Sequence, residues 1–281
     1  MCSYGHLKGQ HMSMPTFYSI LDVIKIGGVK SVYLTGGEPA LHSDVETIIS
    51  SLKSEDIQVR LSTNGTIWGN KIHALKNVDT ISVSIDGKRD RHDSVRGVKG
   101  SFDKAVEFIK SVKSLYPDKS ISLSATVLPE NVLDMPMLCE WALDNELTIG
   151  FQPFVPYFST LVNRKAVKKD RKIKLGKMID FFDSLYSECW DNIDNVKQFY
   201  GLCKVFLKEE YSNLPMCLAG QEMAVINQDG TILPCNGIKS DLGGGSKSIA
   251  EQIKDPTYQI LCDMARQKEC SKCMFYCYFF N

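Results

Sequence analysis

The chain has 281 residues, of which 43% are hydrophobic, enough for one fair-sized globular domain or for one domain with a small appendage. Thirty-three basic residues balance thirty-three acidic ones, so no global attraction to nucleic acid or to an anionic membrane is expected. The composition excludes a disordered chain and favours a small molecule or a peptide as partner.

The two ends of the chain carry no membrane signal. The amino-terminal stretch MCSYGHLKGQHMS lacks the apolar region of a signal peptide, and the carboxyl-terminal CMFYCYFF is too short to span a bilayer of about 30 Å. We therefore expect a soluble cytoplasmic protein with no membrane partner. Because thiols stay reduced there, the ten cysteines are expected to be metal ligands or buried thiols rather than disulfides.

Predicted helices and strands alternate along the first half of the chain. Residues 16–28 predict a helix that ends at Gly27 and Gly28, and residues 31–35 predict a strand. A helix over 43–53, opened by Ser43, precedes a strand over 57–63. Further elements follow in the order strand 80–86, helix 101–116, strand 120–128, helix 135–145 and strand 147–156. Five strands alternating with helices predict a parallel sheet with right-handed crossovers, which is an α/β fold.

Polar loops follow the first three predicted strands. They read TGGEP, STNGT and SIDGKRDRHDSVRG, and parallel sheets bind their ligands at this end of the strands. In a single loop, Gly, Asn and Asp more often simply turn the chain. Three such loops in register favour a polar ligand held by backbone amides and short side chains.

These loops, together with LSTNG, VSIDG and HDSVRGVKGSF in this order, resemble the radical S-adenosylmethionine (radical SAM) enzymes. The resemblance covers nearly the whole chain and implies a partial parallel (β/α) barrel whose first strand is missing here. It also implies S-adenosyl-L-methionine (SAM) as cofactor, a 5′-deoxyadenosyl radical that abstracts hydrogen, and an electron donor such as flavodoxin or ferredoxin. The implied cofactor contacts are Gly36, Gly37, Glu38 and Pro39 around the methionine part, Ser62 and Asn64 beside the ribose or methionine part, Ser84 and Asp86 on the next strand end, and Arg96.

Within that set, the two glycines would let the backbone approach the cofactor without a Cβ clash. Glu38 would accept a hydrogen bond from the amino group of the cofactor's methionine part, and Pro39 would fix the exit of the loop. Two interpretations of Arg96 stay open. It meets the cofactor carboxylate, or it pairs with Asp90 or Asp93 on a solvated loop.

The family's CxxxCxxC motif is represented here only by Cys2, in MCSYG. Three thiolates are needed to hold a 4Fe-4S cluster with one iron left open for the cofactor. A fragment or a misplaced start codon, a degenerate relative, and a chance cysteine are the competing explanations. We favour the first, because the later motifs are all present, and it makes the radical SAM cluster site of this chain incomplete.

A second group of cysteines lies near the carboxyl end. Twelve residues separate Cys217 from Gly230 and four separate Gly230 from Cys235, and the intervening residues predict a β-hairpin that turns at Asn227 to Gly230. CSKCMFYC then supplies three more cysteines. The segment resembles the SPASM or twitch extension of radical SAM enzymes, which implies one auxiliary 4Fe-4S cluster. The expected ligands are Cys217, Cys235, Cys270 and Cys273, with Cys277 as rival for the fourth place.

A structural zinc is the alternative metal for this tail. The remaining cysteines that we interpret as small buried hydrophobic residues are Cys139, Cys189, Cys203 and Cys262. The expected organisation is a radical SAM core (1–160), a helical linker (161–212) and a Cys-rich domain (213–281). The basic run at 163–174 stands alone, so it indicates a solvated face rather than a nucleic-acid site.

The function expected from the resemblance is a radical SAM oxidoreductase that modifies a peptide or protein, with a small-molecule substrate as the other possibility. The alternative from another class is a non-catalytic metal-binding or scaffold protein with a zinc-stabilised tail.

Overall fold

The computed structural model describes residues 11–154, 171–187, 197–208, 210, 213, 217, 219–235 and 247–266. Its helices and strands are, in chain order, α1 (Met14–Ile26), β1 (Ser31–Leu34), α2 (Val45–Ser54), β2 (Gln58–Thr63), β3 (Thr80–Ser84), α3 (Arg89–Arg96), α4 (Ser101–Leu115), β4 (Ser120–Val127), α5 (Met135–Asp144), β5 (Thr148–Pro153), α6 (Arg171–Ser187), α7 (Lys197–Leu207), β6 (Val225–Ile226), β7 (Ile232–Leu233), α8 (Ile249–Lys254) and α9 (Pro256–Arg266).

The first five strands form one parallel sheet in the order β1-β2-β3-β4-β5. Each strand therefore lies beside the next one in the sequence, as expected when every connection crosses over in the same sense. The predicted α/β architecture and its five parallel strands are confirmed, and the arrangement is that of a partial barrel.

The two faces of this sheet differ in polarity. One face is apolar and fully buried beneath the helices, through residues such as Val59, Leu61, Ile81, Val83 and Leu123. The other carries small polar side chains in register, with Ser62 beside Ser82 and Ser84 beside Ser124, and these four are half-buried. Because parallel sheets covered on both faces are apolar on both, the polar face indicates the open inside of the partial barrel.

Helix α1 shows how the local sequence sets an element boundary. Its cap is Ser13, whose hydroxyl accepts a hydrogen bond from the Thr16 backbone N–H, and Pro15 occupies the first turn. The helix buries Phe17, Ile20, Leu21 and Ile24 on one face. It thus begins two residues before the predicted helix 16–28 and ends at Ile26.

One connection differs from the sequence prediction, and for another no helix was predicted. The segment 84–97, predicted as a loop, contains α3, which buries His92 alone among its eight residues. Between β2 and β3 the chain forms a 3-10 segment (Gly69–Asn77) where an α-helix would be the usual crossover. Neither segment has the apolar stripe by which helices are recognised in sequence.

The carboxyl-terminal part is a small antiparallel hairpin followed by two helices. The predicted hairpin is confirmed as β6 and β7, with Gly230 in the turn at φ +81°. A Cβ on Gly230 would lie 3.2 Å from Cγ2 of Thr16, so the turn packs against the first turn of α1. The bounds of the three expected domains stay predictions. Of the helices in the described ranges, none combines the length and apolarity needed to cross a bilayer.

Candidate active site

The carboxyl ends of β1, β2, β3 and β4 meet at one edge of the sheet, because the strands are parallel. The loop after β1 contains Gly36 at φ +132°, a backbone conformation that favours glycine. A Cβ built on Gly36 or Gly37 meets no atom of the described residues within 4 Å. These glycines therefore expose backbone to open space, and a ligand can approach it closely.

Glu38 turns inward from that loop, and only 8% of its surface is exposed. Its Oε1 accepts hydrogen bonds from the hydroxyl of Thr63 at 2.7 Å and from the backbone N–H of Ala40 at 3.3 Å. Its Oε2 accepts one from the backbone N–H of Asn64 at 2.7 Å. A carboxylate offers roughly four acceptor positions, so the three donors found in the described part of the chain leave capacity for one more.

The pKa of Glu38 is raised above its ordinary value because burial disfavours the charged form. The three hydrogen bonds, from Asn64, Thr63 and Ala40, act in the opposite direction by favouring the carboxylate. The ionisation of Glu38 is therefore a balance between desolvation and a set of fixed donors.

Of the predicted residues on β2 and its loop, Asn64 lies beside this carboxylate, to which its backbone N–H donates. Ser62 is half-buried on the polar face of the sheet. The side chain of Asn64 is already engaged, because its Oδ1 accepts from the backbone N–H and the hydroxyl of Thr66. Pro39 begins the 3-10 turn Pro39–Leu41, which Glu38 caps.

The predicted residues after β3 form a separate polar cluster. Ser84 is half-buried at the end of the strand, while Asp86 is fully buried and its Oδ1 accepts from the Thr126 backbone N–H at 2.9 Å. Asp86 Oδ2 lies 2.5 Å from Nε of Arg96, an ion pair in which Asp86 is inaccessible to solvent and Arg96 is about a quarter exposed. The Arg96 partner is thus neither Asp90 nor Asp93. The contact that was predicted between Arg96 and the cofactor carboxylate stays a prediction.

His92 and Asn131 complete that cluster. The ring of His92 is buried, and its Nδ1 accepts from the backbone N–H of Asp86 at 3.1 Å. Burial and then the Arg96 charge lower the pKa of His92, which keeps the ring neutral. Nδ2 of the buried Asn131 donates to the carbonyls of Asp86 and Thr126, so it ties the ends of β3 and β4 together.

Sequence reasoning missed three residues that hold the Glu38 loop. Thr63 accepts from Nε1 of the buried Trp68 at 2.8 Å as it donates to Glu38. Nζ of Lys71 donates to the carbonyls of Ala40 and His42, each at 2.9 Å. The alternating polar residues of the strands, such as Ser82 and Ser124, were visible in ISVS and SLSA and would have indicated the open face.

The cysteines of the carboxyl-terminal part are only partly within the described residues. Cys217 and Cys235 are buried, on the two sides of the hairpin. The predicted ligands Cys2, Cys270, Cys273 and Cys277 lie outside the described residues. Within the described ranges, no three or more His, Cys, Asp or Glu side chains are grouped so as to bind a metal.

The cysteines that we interpreted as small hydrophobic residues are buried where the structure describes them, namely Cys139, Cys203 and Cys262. Cys189 lies outside the described residues. Burial raises the pKa of Cys139 to about 12 and that of Cys203 well above its ordinary value. The thiolate that metal binding requires is therefore unfavourable at both positions.

Comparison with known proteins adds a family and several relatives. A family model described as the Radical SAM superfamily matches residues 1–142. The chain is 28% identical over 123 residues to the Fe-coproporphyrin III synthase of Methanosarcina barkeri, covering 43% of this chain and 30% of that one. It is 26% identical over 198 residues to a probable GTP 3′,8-cyclase of Methanocaldococcus jannaschii, covering 63% and 64% of the two chains. The chain thus spans between about a third and two thirds of these relatives.

Solved structures with a similar fold include Streptococcus suis SuiB bound to the precursor peptide SuiA, with a TM-score of 0.65 and 16% identity. That likeness covers 92% of this chain and 63% of SuiB. SuiB bound to S-adenosylmethionine gives a TM-score of 0.67 at 15% identity, over 92% of this chain and 61% of that one. At such identities the likeness concerns the fold, and it extends well beyond the residues matched by the family model.

Proposed function

Because this chain belongs to the radical SAM superfamily, we propose that it is an oxidoreductase that uses SAM to abstract hydrogen from a peptide or protein substrate. The observation that carries the proposal is the buried Glu38 carboxylate. Three donors hold it beside two glycines whose Cβ positions meet no atom of the described residues. The family implies SAM and a 4Fe-4S cluster.

The residues around Glu38 fit that cofactor. The open backbone at Gly36 and Gly37 can approach an amino acid, and the remaining acceptor capacity of Glu38 suits the amino group of its methionine part. When bound, SAM and the cluster supply one-electron cleavage of a sulfonium and hence a group able to take hydrogen from an unreactive carbon.

The chain's own residues have positioning roles in this proposal. Ser62 and Ser84 face the open side of the sheet, where they would bind the polar parts of the cofactor. Asn64 would contact the cofactor from the loop after β2. Arg96, oriented by the buried Asp86, would present its remaining guanidinium N–H groups to the cofactor carboxylate. Cys2 would supply one thiolate of the cluster, and flavodoxin or ferredoxin would supply the electron.

The proposed peptide substrate is supported by two observations. The inside of the sheet is polar and half-exposed across β2, β3 and β4, a surface suited to hydrogen bonding with a polar chain. The fold likeness to SuiB also includes the residues after the barrel. A small-molecule substrate is the second candidate, because the sequence relatives include a probable GTP 3′,8-cyclase.

The proposed auxiliary 4Fe-4S cluster would use Cys217 and Cys235, which are buried and flank the hairpin in the sequence, with Cys270 and Cys273 or Cys277. It would exchange an electron with the substrate or hold the substrate. A zinc at this place, in a scaffold protein without catalysis, is the competing proposal.

SAM binding tests the proposed cofactor site. Protein that carries all three cysteines of the CxxxCxxC motif, prepared without oxygen and supplied with iron and sulfide, should bind radiolabelled SAM and, with dithionite, form 5′-deoxyadenosine. Glu38→Ala should weaken binding by about 2 kcal/mol, roughly thirtyfold, because one charge-assisted hydrogen bond is lost. Glu46→Ala, which removes an exposed glutamate of α2, is the matched control and should bind as the unaltered protein does. Equal affinity in both variants would remove Glu38 from the site.

The substrate class is tested separately. Short peptides encoded next to the gene are synthesised, incubated with the protein, SAM and dithionite, and weighed by mass spectrometry. Loss of hydrogen mass from one peptide, accompanied by faster formation of 5′-deoxyadenosine, is the expected result. Acceleration by small metabolites alone would favour the second candidate.

A further inference from the structure

The hydroxyl of Thr63 occupies the centre of the hydrogen-bond network around Glu38. Thr63 is 2% exposed, and its Oγ1 has three polar neighbours: Oε1 of Glu38 at 2.7 Å, the backbone N of Gly65 at 2.9 Å and Nε1 of Trp68 at 2.8 Å. The last two groups can only donate hydrogen bonds.

These neighbours fix the direction of the Thr63 proton. A hydroxyl has one hydrogen and two acceptor lone pairs. The N–H groups of Gly65 and Trp68 occupy both lone pairs, so the hydrogen is left for Glu38 Oε1. A protonated Glu38 could not donate to Thr63 in return, and the hydroxyl therefore favours the carboxylate form.

Packing keeps this arrangement rigid. The indole of Trp68 is 3% exposed and stacks on the ring of Phe108, with 6.0 Å between centroids and 29° between planes. A Cβ on Gly65 would lie 3.2 Å from the Ala105 backbone and 3.1 Å from the Phe108 ring, so that turn is pressed against α4. Both donors to Thr63 thus belong to a packed part of the molecule.

We infer that Thr63 is a positioning residue that holds Glu38 as an oriented carboxylate for the amino group of the cofactor, with Trp68 setting the direction of its hydroxyl. The inference rests on the proposed function. It assigns the β2–β3 connection a part in cofactor binding although Thr63 and Trp68 need not touch the cofactor.

Among the described residues, two basic groups near the Glu38 loop are engaged elsewhere and do not replace this role. Lys71 is bound to the carbonyls of Ala40 and His42, and the ring of His42 is bound to the Met12 carbonyl and to the Asp44 backbone N–H. Burial raises the pKa of Glu38, and its three hydrogen bonds, that from Thr63 among them, oppose the rise. Loss of the Thr63 donor should therefore raise that pKa further.

The pH dependence of SAM binding tests the inference. Affinity for radiolabelled SAM should weaken as pH falls through the pKa of Glu38. Thr63→Val keeps the shape but removes the donor, and it should move the midpoint upward by about one pH unit. Thr63→Ser should restore the original midpoint. Thr66→Val, the same change at a hydroxyl that donates to Asn64 Oδ1 instead, should leave the midpoint in place.

Two results would overturn the inference. One is a Thr63→Val protein whose affinity falls equally at every pH, because a merely structural role predicts that. The other comes from cofactor-free protein labelled with ¹³C at glutamate carboxyl groups, in which Glu38→Gln identifies the Glu38 signal: the same Glu38 titration in the unaltered protein and in Thr63→Val would refute the role of the hydroxyl. Failure of the unaltered protein to bind SAM would instead count against the proposed function.

Discussion

Asp86 is a fully buried carboxylate whose charge is balanced by Arg96. Asp86→Asn should lower the free energy of unfolding by about 2–3 kcal/mol, because the Arg96 guanidinium loses its counterion in a largely desolvated place. Urea unfolding followed by circular dichroism measures the loss. Asp90→Asn, at an exposed position of α3, should stay within about 0.5 kcal/mol of the unaltered protein. An equal loss in both variants would contradict the buried ion pair.

Single residues were predictable where a local motif carried the information. TGGEP located Glu38 and its glycines, and the interpretation of Cys139 and Cys203 as small hydrophobic residues predicted their burial. The partner of Arg96 was not predictable, because Asp90 and Asp93 are closer in sequence than Asp86. Folding of α3 back over the end of β3 decides that pairing, and it is a tertiary event. The roles of Ser62, Asn64 and Ser84 stay predictions.

At the scale of elements, Asp93 joins α3 to α4. Its Oδ1 accepts from the Ser101 hydroxyl and the Phe102 backbone N–H, and its Oδ2 accepts from the Gly100 backbone N–H. These bonds, chiefly those from the Phe102 and Gly100 amides, lower the pKa of Asp93 from 3.8 to about 2. The carboxylate thus serves as a cap for the start of α4 from outside that helix.

We expect Asp93→Asn to destabilise the protein in a pH-dependent way. Because the folded pKa lies below the unfolded one, the carboxylate stabilises the fold above pH 3.8, and this contribution is lost as pH falls towards about 2. The stability difference between the variant and the unaltered protein should be constant near neutrality and shrink between about pH 4 and pH 2. Urea titrations at several pH values measure it. Asp118→Asn, at an exposed loop position, should show no pH-dependent change in its stability difference from the unaltered protein. A stability difference for Asp93→Asn that stays constant from about pH 4 to pH 2 would exclude the capping role.

In the carboxyl-terminal part, the side chain of Gln252 links helix α8 to the hairpin. It is fully buried, its Oε1 accepts from the Ile232 backbone N–H, and its Nε2 donates to the carbonyls of Gly230 and Lys247. Gln252→Leu would leave those backbone groups unsatisfied, at a cost of about 2–4 kcal/mol. Hydrogen exchange at residues 219–235 should accelerate strongly. Gln259→Leu, the same change at an exposed position of α9, should leave exchange at residues 219–235 unaltered. Equal protection of these residues in both variants would contradict the linking role of Gln252.

Elements were predictable where periodicity was strong. Short apolar runs predicted the five strands, and apolar residues on one face predicted the helices α1, α2, α4 and α5. Helix α3 was missed because RDRHDSVR has no apolar stripe. Its second half is bound to neighbouring elements through Asp93 and Arg96. Tertiary contacts rather than local propensity determine such a helix.

At the scale of the whole molecule, the barrel and the carboxyl-terminal hairpin are in direct contact, through Gly230 and Thr16 at the start of α1. The sequence predicted both parts but not their contact, because Gly230 is separated from Thr16 by most of the chain and neither residue carries a pairing signal. An auxiliary cluster held by the hairpin would therefore belong to the same body as α1.

The metal content of the whole chain tests the proposed auxiliary cluster. After anaerobic reconstitution, Cys235→Ala should lose iron and sulfide equivalent to one cluster, about four irons per chain, because a thiolate of the proposed auxiliary site is missing. Cys203→Ala is the matched control: Cys203 is equally buried, yet its strongly raised thiol pKa suits a packed side chain rather than a ligand, so the content should not change. Iron, sulfide and zinc are counted in the same samples. If the unaltered protein holds zinc instead of iron and Cys235→Ala loses that zinc, the scaffold alternative is favoured. If both variants keep all their iron, the cluster lies elsewhere.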